Sequence, residues 1–401
     1  MGHVFLSYKH SHQELAEALD VSLREHGIPI WRDVRDIGPD PLQAQLIDDL
    51  NDPDLAGGIV LVSEDVVESD IILEIELPGL YERWQDDDEF FVVVVLCPGV
   101  GYDDAEEILG ASPTPYDFSQ WYMESLQSSS DLAGSPVFDD VVTAVLERRL
   151  QGIHETLSAE EPIGCSLDTY NRPSYPDVLA MNIDWSPHFD AGLPAASVWN
   201  DRLHPALETV VNQLQQIAPG RSLRFRGRAH LPAAFAVGHA LQTTRGIDAA
   251  WMQADGTGGF TPWTMTQDHE ESGLHATLET RDVTGSDLAV FASISDDVAP
   301  EVGQTKSGLP EFNGILELFY EMDHAPRLTA SQAAHVAAVF RDELRSSLND
   351  LPNTSTIHLF MASPLGLAFL FGQQTNTLPP IQTYLLDTSD GPRVYRPAVR
   401  L

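Results

Sequence analysis

At 401 residues the chain exceeds one comfortable core, so two or three domains are expected. A composition of 43% hydrophobic and 21% charged residues excludes a disordered chain, and the formal charge of −39 excludes general affinity for DNA or RNA duplexes and for anionic membranes. The only cysteines, Cys97 and Cys165, cannot build a disulfide framework or a Cys-rich metal site, which fits a reducing cytosol.

The opening residues, MGHVFLSYKHSH, lack the basic region, apolar core and cleavage site of a signal peptide, so a cytoplasmic location is expected. VFLSY (4–8) predicts a strand and HQELAEALDVSLREHG an amphipathic helix. A short strand IPIW (28–31) leads into the polar loop RDVRDIGPDP, followed by helix PLQAQLIDDL and strand GGIVLVS (57–63). The stretch ESDIILEIELPG (68–79) is placed on a helix. FFVVVVLC (90–97) is too short to span a bilayer but suits a central strand buried on both faces. VFDDVVTAVLERRLQGI (137–153) closes the unit as a helix. Alternating strands and helices predict an α/β fold with a doubly wound parallel sheet over 1–155. The polar, Pro-containing stretch 156–174 is expected to be a linker, and 175–401 a second domain.

That second part contains a weak internal repeat. RGRAHLPAAFAVGHALQTTRGIDAAWMQ (226–253) and FMASPLGLAFLFGQQTNTLPPIQTYLLD (360–387) align without gaps, Ala234-Phe235 with Ala368-Phe369, Gly238 with Gly372 and Ile247 with Ile381. Each copy reads strand, turn, helix, loop, strand, which predicts a duplicated Rossmann-like unit with a ligand site near the strand ends. The bland alternative is that any two strand–helix–strand segments look alike. Against so acidic a background, an anionic ligand needs a local basic pocket. The densest arginine run, RSLRFRGR (221–228), and the two lysines, Lys9 and Lys306, are the places to look. Metal and nucleophile motifs are absent: no His-Glu-x-x-His, no Cys pair at zinc spacing and no Gly-x-Ser-x-Gly. No metal site is expected.

The N-terminal unit resembles a TIR domain. The resemblance rests on VFLSYKH at the first strand, GIPIWRDVRDIGPDP at the second strand and the family's BB loop, and LVSEDVVESDIILEIEL at the third strand and following helix. It implies a flavodoxin-like parallel sheet and one of two roles, scaffold assembly or NAD+ cleavage between nicotinamide and ribose. The second half resembles a SAVED domain through MNIDWSP, RGRAHLPAAFAVGHAL, LAVFASIS (288–295) and HLFMASPLGLAFLFG. It implies two fused CARF-type Rossmann units that bind a cyclic oligonucleotide. The order matches TIR–SAVED effectors of the bacterial antiphage systems called CBASS.

On that resemblance, NAD+ is a substrate, a cyclic oligonucleotide (a cyclic tri-adenylate by family habit) is the activator, and no other cofactor is implied. Breaking an N-glycosidic bond builds positive charge on the ribose, which a neighbouring carboxylate stabilises. The family's glutamate lies six residues after the helix-starting serine, with an aromatic two after it; here those positions are Ile75 and Ile71, one residue from Glu74 and Glu76. On a helical wheel Ile71, Ile72 and Ile75 form the apolar stripe and both acids flank it. Glu76 is favoured, because Leu77 reproduces the family's Glu-Leu pair and Pro78 is expected to disrupt the helix beyond it; Glu74 is the alternative. Phe5, Ser7, Lys9, Trp31, Arg32 and Asp33 are the candidate NAD+-binding residues. For the sensor, strand alternation puts Arg224, Arg226 and Arg228 on one face, either paired with acids or facing phosphates. Arg226, Arg228, His230, Phe291, Ser293, Lys306, Ser363 and Pro364 are its candidate ligand residues. The resemblance implies activation by head-to-tail self-assembly into an oligomer or filament. Two rivals stay open: a non-catalytic scaffold that recruits another effector, and a sensor that degrades its own ligand.

Overall fold

A computed structural model of the protein describes residues 2–31, 42–113, 116–126, 136–170, 179–256, 258–305, 308–320, 327–389 and 391–401. The chain divides into two compact units, Met1–Ser166 with Tyr175–Asp184 and Asn212–Pro219, and Leu167–Ser174 with Trp185–Val211 and Gly220–Leu401.

In the first unit, strands β1 (Val4–Ser7), β2 (Ile30–Trp31), β3 (Gly57–Val62), β4 (Phe91–Leu96) and β5 (Tyr122–Ser125) form one sheet in the order β2-β1-β3-β4-β5. All neighbours are parallel, and the order is that of a flavodoxin-like sheet. Every residue of β3 and β4 is buried, as uninterrupted valine-rich runs require when helices cover both faces. The helix Gln13–Glu25 buries Leu15, Ala16, Leu19 and Leu23, one stripe at helical spacing. Gly27, at φ +80°, then turns the chain into β2, a conformation that a side chain would oppose.

The helix after β3 departs from the expected one. Pro78 does not end it. A single π-helical turn, Ile72–Glu76, runs directly into an α-helix, Leu77–Asp86, with Pro78 in the first α turn. The wider turn carries the backbone past the missing proline N–H without a break. Because the helix continues, its apolar face is set by Leu77 and Leu80 as well as by the isoleucines. The buried set is Ile72, Leu73, Glu76, Leu77 and Leu80, while Glu74 is exposed and Ile71 and Ile75 sit at the margins. Glu76 therefore occupies an interior position and does not flank the stripe.

The stretch 156–174 is not a plain linker. The closing helix runs over Asp139–Thr156, and Ile163–Asp168 is a strand, β6. With β7 (Met181–Asp184), β8 (Leu223–Arg228), β9 (Ala249–Ala254) and β10 (Phe260–Trp263) it makes a sheet in the order β10-β9-β8-β6-β7. IGCSLD is short and flanked by Glu-Glu-Pro and Asn-Arg-Pro, so its alternation was masked by turn residues on both sides. Burial of Ile163, Cys165 and Leu167 is what holds it in place.

A third sheet, β11-β13-β12-β14-β15-β16, comprises β11 (His275–Thr280), β12 (Asp287–Ser293), β13 (Phe312–Phe319), β14 (Thr356–Ala362), β15 (Ile381–Asp387) and β16 (Val394–Arg400). Its centre is parallel and its two edge strands antiparallel. The internal repeat is real in three dimensions. β8, the helix Leu231–Ala240 and β9 correspond to β14, the helix Leu365–Gln373 and β15, and both strand pairs are parallel. The two helices are apolar on nearly every side and cross at their equivalent glycines. A Cβ on Gly238 would lie 1.9 Å from Phe369 O, and one on Gly372 would lie 2.2 Å from Phe235 O. Since Gly238 matches Gly372 and Phe235 matches Phe369, the contact is reciprocal, as an approximate two-fold between the copies demands.

Candidate functional site

At the carboxyl end of the first parallel sheet, Ser7 closes β1 and Glu76 faces it from the helix. Ser7 Oγ donates to Glu76 Oε2 at 2.5 Å, and Glu76 is only 4% exposed. A carboxylate taken out of water needs hydrogen-bonded company, and the Ser7 hydroxyl supplies part of it. Beside it, Asp65 accepts from Ser63 Oγ and from Ser11 Oγ, each at 2.5 Å, with His12 Nδ1 3.6 Å away. The Ser11 and Ser63 hydroxyls hold the Asp65 carboxyl below its ordinary range. This knot ties the segment after β1 to the turn after β3, and only its position at the strand ends, not any motif, could have announced it. Cys97, at the end of β4, is buried and its thiol is pushed up to about 12, so it is no nucleophile.

The other residues expected around NAD+ are placed unequally. Phe5 is fully buried in β1 and stacks on Trp31 at 5.2 Å between centroids, so it is core, and one face of Trp31 is occupied by it. Lys9 lies half-exposed just beyond β1, its carbonyl accepting from His12 N–H at 2.8 Å. Arg32 and Asp33 lie outside the described residues, as does Lys306 in the sensor half.

In the second unit, a cavity of about 1100 Å3 opens at the ends of β6, β8 and β15. His230 lines it, alone among the described members of the expected sensor set. Its ring is sandwiched between Tyr170 (4.5 Å) and Phe189 (4.6 Å). Burial pushes His230 down to about 4, so the imidazole is neutral at neutral pH. Thr169 Oγ1 accepts from the His230 backbone N–H at 2.9 Å and stands 2.7 Å from Nδ1. Across the cavity Arg396 Nε meets Asp387 Oδ2 at 2.5 Å, and Ser389 and Arg396 bring Asp387 down to about 2. Arg228 lays its guanidinium over Tyr170 at 5.3 Å, behind that wall.

The remaining sensor candidates do not join this cavity. Arg224 pairs with Asp248 at 2.9 Å, as the acid-paired reading has it, whereas Arg226 lies over the Phe260 ring at 5.7 Å. Phe291 sits in the core with Phe360 and Tyr384, because the apolar middle of this central strand, residues 288–292, is buried on both faces. Ser293 Oγ accepts from Val298 N–H in the turn after β12. Pro364, the repeat-mate of His230, caps the helix at the equivalent point, and the Ser363 hydroxyl donates to the Pro364 carbonyl at 3.3 Å. Thr169, Tyr170, Phe189, Asp387 and Arg396 were missed. Tyr170 lay in the assumed linker; had β6 been read as a strand, a Thr-Tyr pair at its carboxyl end would have been a candidate. Among the described residues no group of three or more His, Cys, Asp or Glu is arranged to hold a metal, and no helix is long and apolar enough to cross a membrane.

Residues 4–129 match the family model of the TIR domain, and residues 207–401 match that of the SMODS-associated and fused to various effectors sensor domain, SAVED. The chain is a TIR–SAVED fusion. Over 204 residues, 50% of this chain, it is 28% identical to CD-NTase-associated protein 4 of Enterobacter hormaechei subsp. hoffmannii (strain UCI 50), and the match spans 40% of that protein's length. Two solved structures of the Acinetobacter baumannii Cap4 SAVED/CARF-domain containing receptor, with the cyclic trinucleotides 2'3'3'-cAAA and 3'3'3'-cAAA, superimpose over 97% of each chain. Their TM-score is 0.51 at 12% identity, a likeness of fold.

Proposed function

We propose that this TIR–SAVED protein is a cytoplasmic antiphage effector of the CBASS type, in which a cyclic oligonucleotide in the SAVED cavity switches on NAD+ cleavage by the TIR domain. The observation that carries the enzymatic half is Glu76, a buried carboxylate at the carboxyl edge of the sheet with the Ser7 hydroxyl on Oε2. On this reading the bond between ribose C1' and the nicotinamide nitrogen breaks with its electron pair going to the ring nitrogen. That pair neutralises a pyridinium, so no proton is needed. The positive charge left on the ribose is met by Glu76, whose Ser7 bond gives way to ribose hydroxyls as substrate enters, and water then adds at C1' and loses a proton to solvent, giving ADP-ribose.

The sensor half is supported by the SAVED match, by a cavity of about 1100 Å3, above the usual span of small-ligand sites, and by what its walls offer. These are aromatic rings, a neutral imidazole and one arginine already paired. Cyclic tri-adenylates are the first ligands to test, because the Acinetobacter receptor was solved with two of them. Activation proceeds by ligand-driven head-to-tail assembly, with the formal charge of −39 keeping unliganded subunits apart.

The test is NAD+ loss by purified protein, alone and with a panel of cyclic di-, tri- and tetranucleotides, with light scattering alongside. Nicotinamide release with one ligand, together with growth in particle size, is the expected result. Demonstrated ligand binding without any NAD+ loss would leave the TIR domain as a scaffold.

A further inference from the structure

The TIR domain carries a second cavity, at the edge of the sheet opposite to Glu76. It is bounded by residues that precede β3 and β4, including Leu55 and Glu89, and by Arg148, Arg149 and Gly152 of the helix Asp139–Thr156. Its volume is about 190 Å3, room for about six waters or for one oxyanion with a short organic tail.

Arg149 is what makes this cavity unusual. It is 2% exposed on the interior face of its helix, where an apolar residue is expected. Its Nε and Nη2 donate to a single acceptor, the Ala180 carbonyl, at 3.2 and 2.8 Å. Its Nη1 is buried with no hydrogen-bond partner, and among the described residues no carboxylate pairs with the guanidinium. Burial without a counter-charge brings its pKa down to about 10. A buried guanidinium left with an idle donor is strongly unfavourable, and proteins retain such a group where something else completes it.

The neighbouring groups narrow what that something is. Arg148 adds a second cationic side chain, held by the Ala144 carbonyl and over the Tyr122 ring. Asp87 and Glu89 line the cavity as well. Asp87 caps the Glu89 N–H at 3.0 Å, and Glu89 accepts the Thr156 hydroxyl at 2.7 Å. A cavity lined by two arginines and two carboxylates suits a ligand that carries both an anionic group and hydroxyls. We infer that this cavity is a binding site for a phosphate group, either inorganic phosphate or a small sugar phosphate whose hydroxyls meet Asp87 and Glu89.

Gly152 supplies a way to close the cavity without touching Arg149. A Cβ built there meets nothing nearer than Glu89 O at 3.9 Å, and leucine is the better helix former, so Gly152→Leu folds and fills the space. Titration of the full-length protein with inorganic phosphate and, separately, with ribose 5-phosphate, followed by calorimetry, should show one saturable site per chain. Arg149→Met and Gly152→Leu should each weaken it at least tenfold. Tighter binding of ribose 5-phosphate assigns the two acids to sugar hydroxyls, and equal binding assigns the site to the bare oxyanion. No saturable binding of either probe would overturn the proposal. So would binding that Gly152→Leu leaves intact, which also decides the matter should Arg149→Met fail to fold.

Discussion

In the TIR domain a carboxylate is buried at the working edge of the sheet, with a serine hydroxyl at 2.5 Å from one of its oxygens. In the SAVED cavity His230 is neutral and Asp387 is matched by Arg396. The difference follows the proposed chemistry. A site that must meet a developing cation keeps a carboxylate close by, whereas a site that must admit a polyanion into a chain of charge −39 gains from pairing an acid such as Asp387 with an arginine. The SAVED copies make a second contrast inside one domain. They share strands, helix and glycine crossing, yet one presents an imidazole where the other presents Pro364.

The largest expected effect falls on the charged side. Glu76→Gln keeps the Ser7 contact geometry but removes the charge, and should lower ligand-stimulated nicotinamide release by about a hundredfold to a thousandfold. Glu74→Gln, exposed on the same helix, should stay within about twofold; equal losses from both would erase the distinction that the tertiary structure draws between them. Next comes the shared scaffold. Gly238→Ala gains about 1 kcal/mol of helix propensity but drives a Cβ to 1.9 Å from a backbone oxygen. The clash wins, and urea unfolding should show the SAVED transition destabilised by about 2–3 kcal/mol.

A smaller effect tests the neutral side. His230→Ala removes the imidazole from the cavity wall and should weaken cyclic oligonucleotide binding about tenfold, with Pro364→Ala close to wild type. If the two substitutions weaken binding equally, the copies are functionally symmetric and the contrast fails. The smallest effect is with pH. His230 and His239 both titrate near 4 when folded, against an unfolded value of 6.5, so between these the unfolded chain binds more protons. Their contribution to stability is complete above about pH 6.5 and is lost as pH falls toward 4. Melting of the SAVED transition should drop by several degrees from pH 7 to pH 5, while ligand affinity stays flat between pH 6 and 8.

The sequence by itself determined the parallel sheet, the repeat and the presence of both domains. Valine-rich runs, helical spacing and the aligned Ala-Phe and Gly positions are local signals that tertiary packing did not override. It narrowed the acid to two residues and stopped there, because a wheel drawn over Ile71 to Glu76 could not include Leu77 and Leu80, which lie beyond a proline that the π turn lets the helix pass. The sensor cavity was the least legible part. His230 was visible from its strand, but Tyr170, Phe189 and Arg396 come from three separate segments, and only folding brings those segments to one wall. The same holds for Arg149, an unremarked arginine in a helix until burial leaves one of its nitrogens without a partner. Periodicity records which face a residue takes within its own element; which distant side chain it meets is decided by the packing of whole elements, and that is written in no single stretch of the chain.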